Sequence, residues 1–103
     1  MTNPRFDPVI HAPKRLELCA LLVPLEEAEF QLLREELDVS DSVLSKHIRQ
    51  LVEAGHVKVR KSNFDGRRRT WARLTRSGRK AFDAHVSELQ RLASMSRHHE
   101  DQQ

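Results

Sequence analysis

The 103-residue chain has one cysteine, Cys19, which excludes an internal disulfide and a zinc cage built from several thiolates. Its longest uncharged apolar run is Leu18 to Leu25, far short of the roughly 18 residues a membrane span needs, so no membrane partner is expected. Three glycines leave little room for a phosphate-cradling loop. No Ser/His/Asp, Cys/His or paired-carboxylate arrangement sits beside a plausible pocket, so neither catalysis nor a cofactor is expected. The opening segment, Met1 to Asp7, lacks the basic and apolar regions of a secretory signal, and a cytoplasmic protein is expected.

What is present fits one domain over residues 1–103, since domains commonly run about 100 to 150 residues. Apolar residues make up 38% and are spread through positions 9 to 92, which favours a folded chain over a disordered one. A core this small is thin, so an exposed apolar helix gains much from a second copy of the chain.

Charge is segregated. Residues 46–80 carry twelve Lys and Arg against Glu53 and Asp65, a balance of +10, while the remainder of the chain is at −7. Acids concentrate between Glu26 and Asp38. Such polarity marks a polyanion-binding face more often than generic solubility.

Periodicity then orders the chain. Pro13 suits a first helical turn, and Leu16, Cys19, Ala20 and Val23 share a face of a helix that Pro24 stops. Glu27 to Leu37 reads as a second amphipathic helix, with Phe30, Leu33 and Leu37 on its stripe. Asp38-Val39-Ser40 is a tight connector, Ser40 a good N-cap, and Gly55 the C-cap of a third helix over about 41–54. The period changes to two at Val57 and Val59 and again at Thr70, Ala72 and Leu74, with Asp65-Gly66 as a hairpin-turn signal between. Thr75 caps a last helix over about 76–97, and 98–103 reads as a frayed tail. The fold class is mainly α with a small β-hairpin: a winged helix-turn-helix over about 7–78, followed by a C-terminal dimerisation helix.

On the third helix Leu44, Ile48 and Leu51 cluster and face the core, which turns Ser42, Lys46, Arg49 and Glu53 outward with Val43, Ser45 and Gln50 on the flanks. Small hydroxyls permit close approach to a major groove, and Lys46 and Arg49 can donate to guanine or phosphate. Ser42, Val43, Ser45, Lys46, Arg49 and Gln50 are thus the expected reading residues. His47 falls near the core edge and reads as a packing residue. Arg67, Arg68 and Arg69 follow the hairpin turn, where a narrow minor groove attracts inserted arginines. Lys58, Arg60 and Lys61 lie along the first wing strand, in reach of flanking phosphates.

These residues resemble a known group. Asp7-Pro8-Val9-Ile10-His11 with Arg15-Leu16, Leu44-Ser45-Lys46-His47, Leu51 to Val57, Arg67 to Thr70 and Leu74 to Phe82 are together similar to the small stand-alone winged-helix regulators of the MarR/ArsR-like group, over about residues 7–92. The resemblance implies a cytoplasmic, homodimeric transcriptional regulator. It implies that the helix over 41–54 sits in the major groove of double-stranded DNA, that the wing over about 62–69 sits in the minor groove, and that terminal helices form the dimer. Two departures stand out: Asp38 replaces the frequent turn glycine, though Asp tolerates the left-handed conformation, and Asp41 places a carboxylate at the start of the reading helix.

The last helix argues for the dimer separately. Phe82, Val86, Leu89 and Ala93 step by 4, 3 and 4, a coiled-coil-like seam with Leu92 beside it. A twofold dimer presents its reading helices about 34 to 36 Å apart, matching a pseudo-palindrome.

Two tempting features lead elsewhere. Cys19 lies on an apolar stripe and reads as a buried inert thiol. Asp83 and His85 could meet His98, His99, Glu100 and Asp101 across an antiparallel dimer to hold zinc, as the resemblance suggests for zinc sensors. The spacing here is two residues longer, which turns the second group by about 200°, so no metal site is expected. No polar cluster marks a small-molecule effector pocket. The rival to the regulator reading is a winged-helix module whose basic face meets an acidic protein; a zinc-responsive regulator and an RNA binder are lesser variants.

Overall fold

The computed structural model describes the backbone of residues 6–101 and the side chains of residues 6–96. Eight elements follow in order: α1 Pro8–His11, α2 Pro13–Leu22, β1 Ala28–Glu29, α3 Phe30–Leu37, α4 Asp41–Glu53, β2 Val57–Phe64, β3 Arg67–Leu74 and α5 Arg76–Asp101. The observed architecture is mainly helical with a small antiparallel sheet, a winged helix followed by a long C-terminal helix.

Local chemistry explains most boundaries. Asp7 caps α1 by accepting from the Val9 and Ile10 N–H groups at 2.9 and 3.2 Å, and Pro8 fills a first-turn position that needs no N–H. The α3 helix ends on Asp38 in the left-handed region (φ 53°), where an Asp is tolerated. Ser40 Oγ accepts from Val43 N–H at 3.2 Å and opens α4; Gly55, at φ +80°, closes it. Asp65 (φ 55°) and Gly66 (φ 73°) form a two-residue hairpin loop with both φ values positive, and Phe64 pairs directly with Arg67 across it.

The core lies where α1 to α4 close over one face of the sheet. Ile10, Leu18, Cys19, Leu22, Leu33, Leu44 and Leu51 are essentially sealed from solvent, joined by Val57, Ala72 and Leu74 from the wing base. Full burial of each such leucine contributes about 1.5–3 kcal/mol of transfer free energy.

Several sequence expectations are corrected. The predicted helix over 27–37 starts only at Phe30. Before it, Ala28 and Glu29 form β1, pairing with Ala72 and Trp71 to give the sheet order β1-β3-β2. Alternation explains the switch: Ala28 points into the core beside Ala72, while Glu29 points out. The expected face of the first long helix also shifts. Leu18, Cys19 and Leu22 are buried whereas Ala20 is exposed, because the second half of α2, from Leu18 on, has no polar residue to mark an outer side and its neighbours choose the face. The short α1, Pro8–His11, is a helix where the sequence reading has no element. At the far end α5 continues through Asp101 rather than stopping at Arg97, since no Gly or Pro interrupts it.

Candidate nucleic-acid interface

The α4 helix divides cleanly. Leu44, Ile48 and Leu51 are buried, while Ser42, Val43, Ser45, Lys46 and Arg49 are exposed. Gln50 departs from the expected set: it is half-buried and its Oε1 accepts from Arg15 Nη1. Arg15 also donates to the Val9 carbonyl and approaches His47 Nδ1 at 3.5 Å. Burial, then Arg15 and Lys46, hold the His47 imidazole below its ordinary value. Arg15 therefore ties α1, α2 and α4 together, and no local pattern advertised that role.

The wing is braced by acids the sequence set apart. Glu27 accepts from Arg60 Nε at 3.2 Å and from Arg60 Nη2, and Glu29 accepts from Arg69 Nη1 at 3.4 Å. The hydrogen bond from Arg60 holds the Glu27 carboxyl below its usual range. The Arg60 guanidinium lies over Trp71 at 5.4 Å from the ring centroid, and Trp71 Nε1 donates to Ser62 Oγ at 3.1 Å. Exposed pairs of this kind fix geometry more than they stabilise. Among the described residues, Lys58, Lys61, Arg67 and Arg68 form no ion pair and are open to a phosphate, as is Arg73 at the wing base, whereas Arg60 and Arg69 must first leave a carboxylate. Asp41, expected to repel phosphate at the start of α4, is paired with Arg34 Nε at 3.0 Å.

The start of α4 and the wing border one cleft of about 380 Å³, lined by Glu29, Arg34, Asp41, Arg68, Arg69 and Thr70 among others. Arg34 of α3 and Arg68 and Arg69 of β3 thus line one mouth, to which α4 contributes Asp41.

A second polar cluster locks the end of α4 to α5. Thr75 Oγ1 and Ser77 Oγ both donate to the Gly55 carbonyl, at 2.7 and 3.0 Å, and Thr75 N–H donates to the His56 carbonyl at 2.9 Å. Gly78 sits directly over His56. On the other side, His56 Nε2 meets Asp7 Oδ2 at 2.8 Å. Burial alone would raise the Asp7 carboxyl, but the Ile10 and Val9 N–H groups and His56 outweigh it and leave it below its ordinary value.

His85, offered above as half of a zinc pairing, is fully buried and faces inward. Its Nδ1 accepts from Asp7 N–H at 3.1 Å, so the proton rides on Nε2, which approaches His11 Nδ1 at 3.3 Å under the Phe6 ring. Among the described residues no three His, Cys, Asp or Glu side chains are placed to bind a metal, and the side chains of His98 to Asp101 lie outside that set. Cys19 is sealed, and burial pushes its thiol up to about 12.

The His85 contact predicts a pH dependence. Burial, then the neighbouring His11, lowers the imidazole value, with Asp7 opposing. The unfolded chain takes up its proton near the ordinary value of about 6.5, the folded chain only at lower pH. The contribution of neutral His85 is therefore complete above about pH 6.5 and declines as pH falls through the depressed folded value. Melting temperatures at pH 7.5 and 5.5 should show a smaller acid-induced drop in His85→Leu than in the parent protein; equal drops would refute the assignment.

On α5 the seam residues separate. Phe82 is half-buried against the core, Val86 and Leu89 are half-buried, Ala93 is exposed, and Leu92 and Met95 are 45% and 57% exposed. The side facing the body carries Gly78, His85 and Glu88 instead. An apolar strip thus runs out along a helix of 26 residues, about 39 Å at 1.5 Å per residue.

Fold and surface together define the class: a winged helix-turn-helix with a basic surface on α4 and the wing, the architecture of transcriptional regulators rather than of enzymes. The chain belongs to the winged helix DNA-binding domain family, which it matches over residues 14–93. It is 35% identical over 85 residues to an uncharacterized protein of Methanocaldococcus jannaschii, covering 82% of this chain and 92% of that one. Among solved structures it resembles a transcriptional regulator homologue from Pyrococcus horikoshii OT3 (30% identity, TM-score 0.79, covering 84% of this chain and 85% of that one). It shares its fold with a MarR-family regulator from Enterococcus faecalis V583 (22% identity, TM-score 0.74, covering 92% and 84%). No described helix is long and apolar enough to cross a membrane.

Proposed function

We propose that the protein is a homodimeric, sequence-specific regulator of transcription acting in the cytoplasm. In this reading α4 lies in the major groove with Ser42, Val43, Ser45, Lys46 and Arg49 toward the bases. The wing enters the adjacent minor groove with Arg67 and Arg68. Lys58 and Lys61 meet flanking phosphates, and Arg60, Arg69 and Gln50 act at second hand by fixing the wing and α4. The observation that carries the proposal is the shared cleft between the start of α4 and the Arg68–Thr70 strand, which brings reading helix and wing to one mouth. The apolar strip through Phe82, Val86, Leu89, Leu92 and Ala93 supports the dimer, because Val86 and Leu89 are only half covered and Leu92 is exposed, and a row of incompletely covered apolar side chains is costly for a monomer. A twofold axis through α5 makes the target a pseudo-palindrome.

Selection from a randomised duplex library at two salt concentrations, with the mass in solution recorded alongside, tests this directly. Enrichment of a palindrome by a species of twice the chain mass is expected. Absence of duplex binding even at low salt would overturn the proposal in favour of a module that binds an acidic protein.

A further inference from the structure

The wing tip carries a side chain that neither the core nor the cation set explains. Phe64 is 62% exposed, more than any other large apolar side chain recorded among the described residues. It precedes the Asp65-Gly66 turn and pairs with Arg67 across it. The apolar positions that join the sheet to the core, Val57, Ala72 and Leu74, lie at the opposite end of the hairpin, so the ring adds nothing to the packed interior. Nor is it loose. The Arg69 guanidinium lies over the Phe64 ring at 5.3 Å from its centroid, and Arg69 is itself held by Glu29 of β1 at 3.4 Å. A chain of contacts from the third strand thus backs one face of the ring and leaves the remainder in solvent.

A two-residue turn makes a narrow tip whose side chains can reach into a minor groove about 6 Å across. Arg67, paired with Phe64 on the same face of the hairpin, and Arg68 and Lys61 on its other face, all without ion pairs among the described residues, give the tip charge complementary to the phosphates on the walls of that groove. Apolar side chains placed this way in a minor groove wedge against base steps and open them.

Resting on the duplex-binding reading above, we infer that Phe64 is a further DNA-contact residue, an apolar wedge that the wing presses against a base step in the minor groove. Its contribution is apolar and displaces no counterions, so it differs in kind from that of the flanking arginines. It also favours operators whose flanks carry an easily unstacked pyrimidine–purine step, a preference expressed without a hydrogen bond to any base.

The test uses the full chain and the palindromic duplex enriched in the library selection. Phe64→Ala should weaken binding about tenfold or more, with the slope of affinity against salt unchanged and the bend of the duplex, read by energy transfer between its labelled ends, reduced. Phe64→Leu should restore most of the affinity and bend. Melting temperature should not move in either variant, because the ring is exposed. Unaltered affinity in Phe64→Ala would overturn the inference, and so would a salt slope that falls with the affinity, since the ring would then only be positioning arginines. Failure of the parent protein to bind any duplex would instead remove the regulator reading, and the wedge with it.

Discussion

Gly78→Ala should be the most damaging single methyl that can be added to this protein. A Cβ at Gly78 would lie 2.8 Å from the His56 carbonyl carbon and closer still to its oxygen, and both are backbone atoms that cannot swing aside. Relief requires α5 to lift from the turn that ends α4, breaking the hydrogen bonds of Thr75 and Ser77 to Gly55 and His56. A loss of about 3 kcal/mol or more is expected, at the upper end of what overpacking costs. In a domain of this length that is a fall of roughly 12 °C or more in Tm. Gly55→Ala provides the contrast. There the φ of +80° is unfavourable for alanine, but nothing lies within 4 Å of the added methyl, so the cost should stay near about 1–2 kcal/mol. Thermal unfolding of both variants decides the matter, and equal losses would show that contact with His56 is not what demands a glycine at position 78.

The largest functional effect is expected from Arg67→Ala combined with Arg68→Ala. Both side chains are exposed and take no part in the Glu27 and Glu29 braces, so their removal should leave Tm unchanged. In the proposed dimer four cations are lost. At near-physiological salt the affinity for the selected duplex should fall at least about a hundredfold, and the slope of log affinity against log salt should become shallower by roughly two for each protomer. Titrations at several salt concentrations read both quantities together. Unaltered affinity and slope would remove the wing from the interface.

The parts of this architecture that could be read directly are those whose cause is local. The α4 helix announces itself through Ser40, the spacing of Leu44, Ile48 and Leu51, and Gly55. The hairpin announces itself through Asp65-Gly66, where both residues adopt the positive φ such turns need. The parts that could not be read depend on distant partners. Ala28 and Glu29 are too few to show a period and become a strand only because Ala72 and Trp71 offer them a free edge. Leu18 to Leu25 has no polar side, so its buried face follows from what packs on it. Glu27 and Arg60, 33 positions apart, look like opposite charge blocks rather than a pair. His85 looks like a free metal ligand in sequence, whereas its Nδ1 is taken by the N–H of Asp7, 78 positions away. Asp7-Pro8, by contrast, carried a readable signal for α1, an N-cap followed by proline at the first helical position.

The braced wing has one more consequence. Two-stranded hairpins alone are marginal in water, and a free one would lose conformational entropy each time it was ordered on a partner. Here β1 and the Glu27–Arg60 and Glu29–Arg69 pairs fix the hairpin against the body during folding. Association then resembles the docking of a rigid solid. Its heat-capacity change should match the surface buried at the contact alone, without the excess that accompanies binding-coupled folding.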